Sequence, residues 1–276
     1  MLLIIDLDVM IHRSAWQPWQ RLVKTVKDDL LLTKLGPDGS TILNPFSEEE
    51  LHNATEMAYN KLMGDMNELM EKFYAEEIYC AVKGDSNYRD EVYADYKASR
   101  KRKPQLRNKI VPQLTARLIS EGFAVPAHGY EADDLCRQRA TLATEEGDSW
   151  TVCTIDKDLK MIGGRYYNIK SEVLTDITEK EAWRCLYSQL LQGDSTDNIP
   201  GLPGVGPVSA KNLIWPCETE EEMQEVVVDA YMKQYGYERW KDELELTGEL
   251  IYILRDERRF PVIMAEWNIV KELSDV

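Results

Sequence analysis

Leu2-Leu3-Ile4-Ile5 is an apolar run of strand length that stops at an acid, Asp6, with Asp8 close behind. The design returns twice: Ile78-Tyr79-Cys80-Ala81-Val82 runs into Lys83-Gly84-Asp85, and Trp150 to Ile155 terminates in Asp156-Lys157-Asp158. Unbroken apolar runs of this kind suit parallel strands buried on both faces, and α/β proteins place their chemistry at the carboxyl ends of such strands. Helical patterns fill the intervals. Ser47 and Glu50 form a capping box for a long helix to about Phe73, with Met57, Leu62, Met66, Leu69, Met70 and Phe73 as its apolar stripe. A helix from about Asn108 to Ser120 leads into a short strand, Phe123-Ala124-Val125, and Thr178 with Glu181 caps a helix to about Leu191. The alternation predicts an α/β fold with a mainly parallel sheet flanked by helices. Tyr166–Ile169 with Glu172–Leu174 reads as one hairpin, and Leu30 to Leu43 around Gly36-Pro37-Asp38-Gly39 as another. Residues 14–46 are otherwise poorly patterned, and 218–276 read as about two more helices with acidic outer faces.

Between the short strand at 123–125 and the run from Trp150 lies Tyr130-Glu131-Ala132-Asp133-Asp134, three carboxylates in four residues opening a helix over 131–145. A helix N-terminus favours one such acid, or two. Three together call for a counter-charge, and a hard divalent cation with oxygen ligands supplies it. The plain alternative is an N-cap followed by a solvated acidic turn. The wider pattern favours the cation. Asp6, the Glu131/Asp133/Asp134 group, Asp156 with Asp158, and Asp194 with Asp197 end or open separate elements. Asp156 and Asp158, if on a strand, project to one side through its period of two. All could meet at one sheet edge and hold two metal ions roughly 4 Å apart, an arrangement that clamps the attacking and leaving oxygens of a phosphodiester.

Two further stretches point to a polyanion. Gly201-Leu202-Pro203-Gly204-Val205-Gly206 joins two helices, and its glycines allow positive φ and backbone N–H groups close to a phosphate, with Lys211 one turn beyond. An ordinary Gly/Pro turn would look similar. The net charge of −16 argues against bulk attraction to nucleic acid or to an anionic membrane, yet Lys97 to Lys109 holds seven basic residues and no acid. With Tyr88, Arg89, Tyr93 and Tyr96 before it, this block combines phosphate neutralisation with faces for base stacking. No run reaches the ~18 apolar residues of a membrane span. The first residues read as a strand, not a signal peptide, and the five scattered cysteines as reduced core residues, so a cytoplasmic protein is expected. The length of 276 residues accommodates one large domain or two small ones.

In this order, Ile-Asp-Leu-Asp, Asp-Ser-Asn-Tyr-Arg with Tyr-Lys-Ala-Ser-Arg, Glu-Ala-Asp-Asp, Thr-Ile-Asp-Lys-Asp and Gly-Asp-Ser-Thr-Asp-Asn-Ile-Pro-Gly resemble the flap endonuclease superfamily. The likeness is greatest to stand-alone bacteriophage 5′→3′ exonucleases. It spans about residues 1–214, with a weaker echo at Ile253-Leu254-Arg255. The resemblance implies a PIN-like nuclease domain over 1–177 with a helical arch at about 86–110, then a helical region over 178–276 carrying a helix–hairpin–helix DNA clamp. It implies two Mg²⁺ or Mn²⁺ ions, one on Asp6, Glu131 and Asp133, the other on Asp156, Asp158, Asp194 and Asp197, with Asp134 close by. Lys97 and Arg100 would meet the scissile phosphate with help from Arg89. Tyr88, Tyr96, Lys101, Arg102 and Lys103, together with Gly201, Gly204, Val205, Gly206 and Lys211, would bind DNA. A K⁺ ion at the glycine turn is a further expectation.

Two departures stand out. Leu7 replaces the glycine usual after the first aspartate, and the acid expected at the end of the second strand is displaced to Asp85. The reading expects Asp85 to turn inward to the first metal, with Lys83 facing the substrate phosphate or a neighbouring carboxylate. The implied activity is 5′→3′ exonuclease and 5′-flap endonuclease action on duplex DNA, or on an RNA–DNA hybrid, by a monomer in phage replication within the host cytoplasm. The alternatives are a haloacid dehalogenase-like phosphohydrolase, suggested by Asp6-Leu7-Asp8, and a DNA-binding module with a degenerate site.

Overall fold

The computed structural model describes residues 1–25, 46–98 and 108–274. The hairpin expected at 30–43 lies outside them, as do Arg100, Lys101, Arg102 and Lys103 in the middle of the arch. The elements run β1 (Leu2–Asp6), α1 (Leu7–Thr25), α2 (Glu48–Phe73), β2 (Glu77–Lys83), α3 (Tyr88–Val92), α4 (Ile110–Ser120), β3 (Val125–Ala127), α5 (Ala132–Glu145) and β4 (Trp150–Thr154). A 3₁₀ turn (Asp158–Ile162) leads to β5 (Gly164–Asn168), β6 (Val173–Ile177), α6 (Glu179–Gln192), α7 (Pro207–Ile214), α8 (Glu220–Tyr235), α9 (Trp240–Ile251), α10 (Phe260–Met264) and α11 (Asn268–Ser274). No described helix is long and apolar enough to cross a membrane.

Six strands form one sheet in the order β3-β2-β1-β4-β5-β6. All neighbours are parallel except β5 and β6, which form the expected antiparallel hairpin. β1 is central and fully buried. Its alternation divides the core: Leu3 and Ile5 join α1, α2 and α4 on one face, and Leu2 and Ile4 join α5, α6, α8 and α9 on the other. The second cluster draws on residues from both sides of position 177, for example Ala140 with Leu190 and Leu250.

The capping boxes at Ser47/Glu50 and Thr178/Glu181 are present, each with side chain and backbone bonded reciprocally. Three elements differ from the sequence expectation. A 19-residue helix, α1, extends into the poorly patterned segment as far as Thr25 and buries Met10, Ile11, Ala15 and Trp19 around an internal Pro18. The third strand falls at 125–127, later than Phe123–Val125, because its residues pair with Ala81–Lys83 at the end of β2. Among the described residues, four helices, not two, follow α7.

Candidate active site

Since β2, β1 and β4 are adjacent and parallel, their carboxyl ends share one edge, and α5 begins over it. Asp6 is the last residue of β1 and is 6% exposed. The Thr154 hydroxyl, at the end of β4, donates to Asp6 Oδ2 at 2.8 Å and accepts from Asp156 N–H at 3.0 Å. Asp156 in turn accepts from Asp158 N–H at 2.8 Å, and Gln189 of α6 donates from Nε2 to Asp158 Oδ1 at 2.6 Å. Asp156 and Asp158 are therefore not strand neighbours as expected. β4 stops at Thr154, and the pair shapes the turn into the 3₁₀ segment.

The electrostatics identify the groups that converge. Burial, then the charges of Asp8 and Asp156, push Asp6 up to about 6 against the pull of the Thr154 hydroxyl. Asp133 is held well above the usual carboxylate range by burial and by Asp6, Glu131 and Asp156. Asp158 is pushed up to about 6 by burial and by Asp156, with a smaller push from Asp194. Asp156 thus lies in the field of both acid groups. Among the described residues no three acid, histidine or cysteine side chains are gathered closely enough to chelate one ion. The donor chemistry nevertheless fits hard divalent cations: crowded carboxylates with strained ionisation, supplemented by water, as Mg²⁺ commonly requires.

A stability prediction follows from Asp6. Its folded pKa of about 6 exceeds the ordinary 3.8, so its protonation stabilises the fold fully below about 3.8, and this contribution is lost as pH rises through 6. At pH 7.5 in EDTA the ionised carboxylate costs on the order of 2–3 kcal/mol. Asp6→Asn keeps an acceptor for Thr154 and removes the charge. Thermal melting in EDTA should show the variant several degrees more stable than wild type at pH 7.5 and nearly equal to it at pH 4. Equal melting temperatures at pH 7.5 would contradict the charge crowding.

Glu131, the N-cap of α5, accepts from Asn87 Nδ2 at 3.0 Å and pairs with Lys97 Nζ. Lys97 Nζ also lies 3.6 Å from Asp197 Oδ2, so one ammonium bridges the two acid groups. The backbone holds it there: Lys97 has a left-handed φ of 57° and its N–H donates to the Asp197 carbonyl at 2.7 Å. Asn198 Nδ2 bonds the Asp95 carbonyl at 2.9 Å and secures the same junction.

Several expectations are corrected by geometry. Asp85 does not turn inward; its side chain is 76% exposed and bonded to His128 Nδ1 and the Ser86 hydroxyl. Lys83 presents an exposed side chain, and its N–H donates to Asp8. Asp134 and Arg89 are buried together in a bidentate pair at 2.7 and 2.9 Å, sealed from the metal edge and from any phosphate. Tyr88 packs beneath Arg259 and donates to the Glu249 carbonyl, and Tyr96 is buried in the core, so neither ring is free to stack on a base. Gly201 serves close packing: a Cβ there would sit 2.2 Å from the Gln192 carbonyl carbon. Gly204 (φ 80°) and Gly206 stand in open space, with Gly206 capping α7 and Val205 packed against the core. Lys211 lies over the Trp215 ring at 4.8 Å. Thr154 and Asn87, which orient the acids, stand inside the Thr-Ile-Asp-Lys-Asp and Asp-Ser-Asn-Tyr-Arg motifs without a role assigned to them, and Gln189 lies in no motif because a lone neutral polar residue carries no spacing signal.

The family model described as "5'-3' exonuclease, N-terminal resolvase-like domain" matches residues 40–183, just over half of the chain. The chain belongs to this 5′–3′ exonuclease family. It is 30% identical to the flap endonuclease Xni of Salmonella schwarzengrund over 185 residues, covering 63% of this chain and 71% of that protein. It is 28% identical to the DNA polymerase I of Bacillus caldotenax over 262 residues, or 87% of this chain but 29% of the polymerase. The chain thus spans under a third of the length of the polymerases it matches. The fold is similar to that of T5 5′-exonuclease bound to zinc, with a TM-score of 0.53, 13% identity, and coverage of 100% of this chain and 98% of that one.

Proposed function

We propose that this chain is a Mg²⁺-dependent 5′→3′ exonuclease that also cuts 5′ flaps, acting on duplex DNA and on RNA–DNA hybrids. The observation that carries this reading is the convergence of Asp6, Glu131, Asp133, Asp156 and Asp158 at the carboxyl edge of the sheet, where their like charges raise Asp6, Asp133 and Asp158 together. In this reading Asp6, Asp133 and Glu131 hold one ion, and Asp156, Asp158, Asp194 and Asp197 the other. When bound, divalent ions lower the pKa of water and stabilise charge on the attacking and leaving oxygens. The carboxylates act as ligands, not as nucleophiles. Asp6 is buried and hydrogen-bonded by Thr154, which disfavours the phosphohydrolase alternative in which it attacks phosphorus. The crowding of these acids disfavours a merely binding module, in which nothing would keep their charges together.

In this reading Lys97 exchanges Glu131 and Asp197, with which it now pairs, for the scissile phosphate, and Arg100, three residues on in the sequence, assists. Gly204, Gly206 and the first turn of α7 offer backbone N–H groups, and Lys211 a charge, to a duplex phosphate in a helix–hairpin–helix clamp where K⁺ can assist. Lys97→Ala should lower single-turnover cleavage about 10²-fold while changing DNA affinity less than tenfold, since a contact made mainly in the transition state counts mainly in rate. Equal losses in both would mark simple electrostatic attraction.

The deciding experiment is digestion of duplex and flap substrates labelled at either end, with Mg²⁺ and with EDTA. Release from the 5′ end, only with metal, is expected. Metal-independent cleavage, or release from the 3′ end, would overturn the reading.

A further inference from the structure

The second strand delivers no acid to the site. β2 ends at Lys83, and Gly84 is pressed so tightly on β3 that a Cβ there would lie 1.9 Å from the Ala127 carbonyl oxygen. The chain leaves along β3, which carries Asp85 outward to His128. A carboxylate nevertheless spans this gap from the other side. Asp8, in the first turn of α1, accepts the Lys83 N–H at Oδ2 at 2.8 Å, so it reaches from the end of β1 to the end of β2.

We infer that Asp8 supplies the carboxylate that β2 lacks and is a ligand, direct or through water, for the divalent ion beside Asp6. The inference rests on the metal site of the proposed function. One oxygen is fixed by the strand N–H, and among the described residues Oδ1 has no hydrogen-bond partner and can face a cation. Asp8 is not occupied in capping its own helix, because Asp6 accepts the Val9 N–H at that terminus. Lys83 and His12 are the basic side chains near it, and among the described residues neither forms an ion pair with it. Asp8 thereby compensates a close approach of backbone to β3 that Gly84 permits.

Titration calorimetry with Mn²⁺ in the absence of DNA tests this. Asp8→Asn, which keeps an acceptor for Lys83 N–H, should weaken the tighter Mn²⁺ site by about tenfold or more, as should Asp6→Asn. Asp85→Asn should change it less than twofold. Adding Lys83→Asp to Asp8→Asn, which returns a carboxylate from the β2 side, should restore most of the affinity. An Asp8→Asn protein that binds Mn²⁺ like wild type, while Asp6→Asn does not, overturns this inference and leaves the metal site standing. A loss that Lys83→Asp cannot repair, accompanied by a lower melting temperature, makes Asp8 structural and overturns it too. Absence of Mn²⁺ binding by wild type would instead remove the site itself and the inference with it.

Discussion

Replacing Asp156 and Asp158 together by Asn should reduce cleavage at saturating Mg²⁺ by about 10³-fold or more, on the scale of removing electrostatic groups that act on a transition state. DNA affinity should stay within a few-fold of wild type. The two carboxylates occupy the junction of the site. Asp156 contributes to the raised pKa values of Asp6, Asp133 and Asp158 alike, so its charge is felt on both sides of the edge. The single Asp156→Asn variant should therefore be more impaired than Asp158→Asn. The fold should survive, because the amide oxygens can still accept from Asp158 N–H and from Gln189 Nε2. Single-turnover assays beside equilibrium binding to a flap substrate provide the check. Activity within tenfold of wild type would place the metal ions elsewhere.

What the sequence made legible was whatever depends on neighbours in the chain. Strands β1, β2 and β4 announced themselves by apolar runs, α2 and α6 by reciprocal capping boxes, and the acids by their position after those runs. What stayed hidden depends on distant partners. α1 escaped because Pro18 interrupts its apolar stripe, yet packing against α2 keeps the helix continuous. The outward course of Asp85 is decided by the Ala127 carbonyl, more than forty residues away. Gly201 resembled a phosphate-binding glycine, but it is needed where its backbone meets Gln192 and Gly193. Period-two reasoning failed at Asp156 and Asp158 because the strand had already ended. Acidic spacing alone also could not separate Asp133, which turns toward the other acids, from Asp134, which turns away into the core.

That divergence carries the second large effect. Arg89→Ala or Asp134→Ala should each cost about 3–5 kcal/mol of stability, since each strands a buried charge. Asp134 is 0% exposed and Arg89 2%. Their bidentate bond is the centre of a network that spans three parts of the chain. Arg89 Nε and Nη2 donate to the Leu250 and Tyr252 carbonyls at 3.2 and 2.8 Å, and Asp134 accepts from Leu254 N–H at 2.8 Å and from Glu131 N–H at 2.9 Å. Arg137, one turn further along α5, holds the Ile253 carbonyl at 2.5 Å. The pair therefore fastens the segment after α9 to the start of α5 and sets the backbone of Glu131, which faces the site. Denaturant unfolding of both single variants and of Arg89→Met with Asp134→Leu separates its parts. The double variant should lose less than the sum of the singles, because neither charge is then left alone. A single Arg89→Ala that unfolds like wild type but cannot cleave would return Arg89 to the substrate phosphate. A variant that is unstable, yet cleaves at the wild-type rate once folded at low temperature, fixes its role as a clamp beneath the site.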